Sequence, residues 1–230
     1  IRSPKSFLRV WMVLLTAISI GTGIPVAVYY RNWGVFSLTQ IILTLFIWIN
    51  GIIAFWEICL YSKIKLIGQQ YARFKVEYKG HPMYRVFDYM NARISLTQAF
   101  SPSLWAEVWS TYSVFDHSYA TTESFGYWID SGNGVSTLLP SLFLIAGMTQ
   151  PLIGARIFGI VALLFFYQMW YGTLVYFWSY FGNKRYQGHR RRDVFVFVGL
   201  INGIWSMFPV LGLYVALQLV MSDSYAVLGF

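Results

Sequence analysis

The chain has 230 residues, of which 57% are hydrophobic, 20% aromatic and 11% charged. A soluble domain carries roughly a quarter of its residues as charged groups, so this composition excludes an ordinary water-facing surface. The net charge of +8 comes without a basic helix or a recognised nucleic-acid module, which removes nucleic acid from the expected partners.

A helix that crosses a bilayer needs roughly 20 mostly apolar residues. Five stretches satisfy this, at about residues 7–30, 35–61, 118–148, 157–181 and 194–221. The expected fold is therefore all-α, an integral membrane bundle of five transmembrane helices in a single domain over residues 1–230. The first span ends at Arg31 and the second at Lys63 and Lys65. Between the second and third spans, residues 62–111 interleave basic side chains (Arg73, Lys75, Lys79) with aromatic ones (Tyr71, Phe74, Tyr78). That mixture suits lipid headgroups or a solvated loop packed on the membrane domain. Pro102 and Trp105 open a second amphipathic approach to the third span.

Basic residues fall almost entirely in the N-terminal tail, the second connection and the fourth connection, with only Arg31 and Arg156 elsewhere. With five spans, the positive-inside rule places the N-terminus inside and the C-terminus outside. Ile1 is not an initiator methionine, which leaves room for a removed targeting peptide. Cys59 is the only cysteine, so no intrachain disulfide or cysteine metal site is expected. His81, His117 and His189 are scattered, and no nucleotide-binding glycine pattern occurs; neither metal nor cofactor is expected.

Ionisable groups within a bilayer cost at least about 2.5–3.5 kcal/mol each at its centre. The third span holds Asp116, Glu123 and Asp130 at intervals of seven. On a continuous helix they share nearly one face, extended by Tyr119, Asn133 and Thr137. Such a stripe must line a cavity or pack on other helices. Gly126, Gly132 and Gly134 fit close helix packing. Glu57 sits near the end of the second span, where it lines a pocket or snorkels to the headgroups. Asn202, Trp205 and Pro209 share a face of the fifth span.

Trp109-Ser110-Thr111-Tyr112-Ser113, followed by Asp116-His117-Ser118-Tyr119, resembles the loop-and-helix signature of the EXPERA superfamily. That superfamily contains emopamil-binding-protein-type sterol Δ8–Δ7 isomerases and sigma-2 receptor relatives. The resemblance covers about residues 41–219 and extends to Asp130 fourteen residues after Asp116, to Glu123 between them, and to Glu57. It continues through Tyr171-Gly172, Tyr176-Phe177, and the spacing of Asn202, Trp205 and Pro209. Departures are Ile53 in place of a His, Asp130 for a Glu, Asn133 for a Thr, Thr173 for an Asp, and a longer second connection.

The resemblance implies a sterol or other lipid as ligand, in the endoplasmic reticulum; the charge bias suits a mitochondrial or bacterial inner membrane equally. Moving a ring double bond needs one group to donate a proton and another to remove one. Glu57 and Asp130 are the candidate acid and base, Trp205 the face that stabilises a carbocation, and Asn202 an orienting group. Asp116, Tyr119, Glu123, Asn133, Tyr171 and Tyr176 are the candidate ligand-binding residues. Three readings stay open: a sterol isomerase, a non-catalytic sterol or lipid binder, and a structural subunit of a membrane complex. Expected partners are the sterol or other lipid, membrane lipids, and a homodimer mate or further subunits.

Overall fold

The structure, a computed structural model, describes residues 6–230. Ile1 and the basic tail residues Arg2 and Lys5 lie outside them. All regular secondary structure among the described residues is helical, apart from one isolated β-bridge between Arg9 and Arg93. In order come α1 (Val10–Trp33), α2 (Leu38–Glu77), α3 (Pro82–Met90), α4 (Leu96–Ala99), α5 (Pro102–Tyr112), a 3-10 turn (His117–Ala120), α6 (Phe125–Thr149) and α7 (Ala155–Gly182). A C-terminal helical run, Arg191–Ser222, contains a π-helical segment at Val194–Leu200.

Four of these helices are long and apolar enough to cross a membrane: α1, α2, α7 and the C-terminal run. They make the chain a helical membrane protein. Their outward side chains agree, for Leu15, Ile24, Leu164, Met207 and Met221 are all large, apolar and exposed. The expected third span corresponds to α6, which has 25 residues but is diluted by Asp130, Ser131, Asn133, Ser136, Thr137 and Ser141.

Two expectations need correction. The second span does not end at Tyr61, because α2 runs 40 residues and only kinks at Lys63 (φ −123°, ψ 19°). The lysines end the apolar run, yet lysine, leucine, glutamine and arginine are good helix formers, so the helix continues. Glu57 therefore lies within α2 and not near its end. The connection of residues 62–111 is likewise mostly helical. Pro82 and Pro102 occupy first-turn positions of α3 and α5, where a missing N–H costs nothing. Ser95 and Gln98 form a reciprocal capping box on α4, satisfying two otherwise orphaned N–H groups.

The helix at the expected third span, α6, also begins later than expected, at Phe125. The Asp116 side chain accepts from the Ser118 N–H, Thr121 Oγ1 from the Glu123 N–H, and Ser124 Oγ from the Tyr127 N–H. These local bonds offer the backbone an alternative to the helix. The chain turns, and the acidic stripe spaced by seven does not form. Asp130 is its only member on α6.

The expected single domain divides into two compact units, each with its own core. The first comprises the described residues through Thr16, Ala54–Val135 and Tyr176–Ile201; the second comprises Ala17–Ile53, Ser136–Val175 and Asn202–Phe230. In the second unit, Leu43 and Ile47 pack with Leu144, Phe158, Phe166, Val215 and Leu219. A side chain at Gly159 would place its Cβ 2.8 Å from the Ala216 carbonyl oxygen, the close small-residue approach typical of membrane helices. That unit's only charged residues are Arg31, Arg156 and Asp223. Each lies at a helix end, and Arg156 pairs with Asp223 at 3.5 Å. All other basic side chains belong to the first unit or its undescribed tail.

Candidate functional site

The first unit is organised by a buried polar network built on the tryptophan-to-tyrosine motif. Trp109 on α5 donates its indole N–H to the Trp56 carbonyl of α2 at 2.7 Å. Ser110 donates to Gln70 Oε1 at 2.7 Å. These two bonds fix α5 against α2. Where α5 ends, the chain turns Asp116 inward until it is 0% exposed.

A buried carboxylate requires a counter-charge and filled acceptor sites. Arg185 supplies the charge, its Nη1 lying 2.9 Å from both Asp116 oxygens. The Ser118 N–H donates to Oδ1 at 3.1 Å, and the Tyr176 hydroxyl to Oδ2 at 3.1 Å. Because the Tyr176 proton goes to Asp116, the 2.9 Å contact between Tyr112 and Tyr176 has Tyr112 as donor. Arg185 is further held by Ser179 Oγ at 3.0 Å and lies 5.2 Å over the Tyr180 ring.

Beside this network, Tyr119 is buried with its ring 5.0 Å from Trp109 and 5.3 Å from Tyr112. Its hydroxyl lies within hydrogen-bonding reach of the Asp130 carboxylate. Asp130, half-buried on α6, is in turn within electrostatic reach of Glu57 on α2. Glu57 is 7% exposed. The two helices approach closely at this level, since a Cβ at Gly134 would stand 2.7 Å from Glu57 Cβ and 2.8 Å from the Ala54 carbonyl. Among the described residues neither Glu57 nor Asp130 has an ion-pair partner. The arrangement sets two carboxyl groups without cation partners on neighbouring helices, with a phenol beside one of them.

The structure thus brings together Glu57, Asp130, Tyr119, Asp116 and Tyr176 within one unit. Asn133, half-buried, stands three residues beyond Asp130. Glu123 is placed otherwise: it is exposed in the turn before α6 and its backbone N–H bonds Thr121. Tyr171 is exposed on α7 and stacks on Tyr167 with centroids 5.9 Å apart. An aromatic pair facing outward from an apolar helix is a lipid-facing feature, so Tyr171 does not join the network. Gly132 opens onto free space and makes no close approach, unlike Gly126, whose Cβ would meet Ser118 Oγ at 3.0 Å.

Asn202 and Trp205 belong to the second unit. There the Trp205 indole N–H donates to Asn50 Oδ1 at 2.9 Å, and the Asn50 amide donates to Ser141 Oγ at 3.3 Å. Thr173, at the position of the superfamily's Asp, donates to the Met169 carbonyl of its own helix at 2.9 Å.

Sequence reasoning missed Arg185, Tyr112 and Asn50. Arg185 read as one more topology charge, and nothing local marks its pairing with Asp116. Asn50 carried a usable signal, an amide in the middle of an apolar span, which is the same feature that singled out Asn202.

Fold and network together define a class: a helical membrane protein with a small set of ionisable groups buried among its helices. No family model matches the chain, and neither a curated protein nor a solved structure matches it.

The tight seam gives one direct expectation. Gly134→Val forces atoms into occupied space between α2 and α6 and should destabilise the protein by about 1–3 kcal/mol. Unfolding in detergent by a denaturant titration measures this, and a variant as stable as the parent would show that the seam is looser than described.

Proposed function

We propose that this chain is an EXPERA-type membrane protein that binds a sterol or similar lipid within the bilayer and isomerises a ring double bond. One observation carries the proposal: two carboxyl groups, Glu57 and Asp130, stand on helices that approach closely at Gly134, with no cation paired to either among the described residues. Such a pair is costly in a membrane, and two carboxyls sharing a low-dielectric site divide the roles of acid and base. Tyr119 orients Asp130 through its hydrogen bond. Between a Δ8 and a Δ7 sterol the shared alkene carbon is C8, so one proton is added at C9, a cation forms at C8, and one proton leaves C7. One carboxyl donates the first proton and the other accepts the second, with no net oxidation. Trp205, hydrogen-bonded to Asn50, stays the candidate face for the cation, and Asn202 the candidate orienting group.

The proposal includes α6 as a fifth span. Its polar side chains Ser131, Thr137 and Ser141 are buried, while Trp128, Val135, Leu139 and Leu142 are exposed. That inversion of the water-soluble pattern suits a helix that shows its apolar side to lipid. Five spans and the basic first unit would put the N-terminus on the cytoplasmic or matrix-like side.

A second reading, lipid binding without turnover, is favoured by Ile53, which places no imidazole one turn before Glu57. Incubation of the purified protein with a Δ8-sterol in deuterated water separates the two. Deuterium at C9 of a Δ7 product is the expected result. Tight sterol binding without product would leave the second reading; absence of both would overturn the proposal.

A further inference from the structure

On the first unit, the end of α2 and the segment preceding the C-terminal helical run enclose an open cleft of about 260 Å³. Lys75, Lys79 and Arg190 line it, with Tyr71 and Tyr78 between them. None of these three cations forms an ion pair among the described residues. Lys75 stands 5.9 Å over the Tyr71 ring. Asp193 is the one carboxylate in the lining, and its side chain is 3% exposed. Its Oδ1 accepts no hydrogen bond; the nearest charge is Arg192 Nε at 3.7 Å. A buried carboxylate oxygen left without a donor is costly, and Asp193 belongs to the lining of the cleft.

A second, mainly apolar groove of about 470 Å³ runs along Phe181, Val194, Phe195 and Gly199, beside the π-helical segment. His189 lines both the cleft and the groove. Burial lowers the His189 imidazole below its ordinary value, against the pull of the Asp116 and Asp193 carboxylates. The junction between charged and apolar compartments is then a mostly neutral wall at neutral pH.

A cation-lined cleft that shares His189 with a mainly apolar groove matches an amphiphile, not a free anion, because a free phosphate leaves the groove empty. We propose that cleft and groove together bind one glycerophospholipid whose headgroup carries a hydrogen-bond donor beyond its phosphate. Lys75, Lys79 and Arg190 hold the phosphate. Asp193 accepts from the headgroup's hydroxyl or ammonium. An acyl chain lies along Phe181, Val194 and Phe195. This site is independent of Glu57 and Asp130 and does not rest on the sterol reading.

The test uses the full chain purified in detergent and offered defined lipids, with retention measured by native mass spectrometry. Phosphatidylinositol, phosphatidylglycerol and phosphatidylethanolamine present donors; phosphatidylcholine presents a phosphate without one. The three donor lipids should be retained over phosphatidylcholine. The exposed pair Lys75→Gln and Lys79→Gln should weaken retention by about tenfold or more, with the unfolding midpoint unchanged. Asp193→Leu, which removes every acceptor at that position, should erase the discrimination against phosphatidylcholine, and if that variant fails to fold the lysine pair decides. Equal retention of all four lipids by the parent, or no effect of the lysine pair, would overturn the proposal. So would displacement of bound lipid by millimolar inorganic phosphate, which would mark the cleft as a site for the free anion.

Discussion

If the proposed function holds, Asp130→Asn is expected to abolish isomerisation while leaving the protein folded and able to bind sterol. The amide oxygen still accepts the Tyr119 hydroxyl, so the packing around Trp109 and Tyr112 is retained. What is lost is a group that exchanges a proton, and removing one such group lowers rates by about 10²–10⁴-fold. The measurement is deuterium incorporation into a Δ7 product, with sterol affinity and the unfolding midpoint followed in parallel. Loss of product at unchanged affinity supports an acid–base role. Parental turnover in this variant would exclude Asp130 from the chemistry, and loss of folding would assign it to structure alone. Glu57→Gln repeats the test from the α2 side. Retained turnover in that variant would break the proposed pair even if Asp130 proved essential.

The second large effect concerns Asp116 and Arg185, 69 positions apart in the chain and 2.9 Å apart in space. Arg185→Gln strands a fully buried carboxylate with only neutral donors, Tyr176 and the Ser118 amide. Breaking a buried pair from one side typically costs about 3–5 kcal/mol. A denaturant titration in micelles should therefore show Arg185→Gln strongly destabilised. The double variant Asp116→Asn with Arg185→Gln should recover part of that loss, because no charge is then left unpaired. If Arg185→Gln stays within 1 kcal/mol of the parent, the pair contributes no more than a surface salt bridge, and the network around Tyr112 and Tyr176 does not depend on it.

Sequence reading placed α1, α7 and the C-terminal run within about three residues of their ends. These helices are legible because a membrane span is a local property: the mean hydropathy of some twenty consecutive residues decides it. It was less successful at α2 and at the start of α6. Lys63 and Lys65 mark where apolar character stops, which differs from where hydrogen bonding stops, and helix-forming side chains carry α2 on to Glu77. Before α6, the spacing of Asp116, Glu123 and Asp130 implied a helix face that capping bonds from Asp116, Thr121 and Ser124 dismantle.

Within the candidate site, Glu57, Tyr119, Asp130, Asp116 and Tyr176 were readable as polar groups out of place in an apolar chain. Their pairing was not. Arg185 shows the difference: as a residue it is one charge in a basic connection, and only folding sets it against Asp116 between Tyr176 and Tyr180.

The amino-acid order alone determined that this chain is a helical membrane protein with its basic residues gathered in particular connections. Those features follow from transfer free energies that add along neighbouring residues. Tertiary structure decided which ionisable groups are satisfied by partners and which, like Glu57 and Asp130, have no ion-pair partner among the described residues. Pairing depends on distances between segments far apart in the chain, and no local sum of residue properties contains those distances.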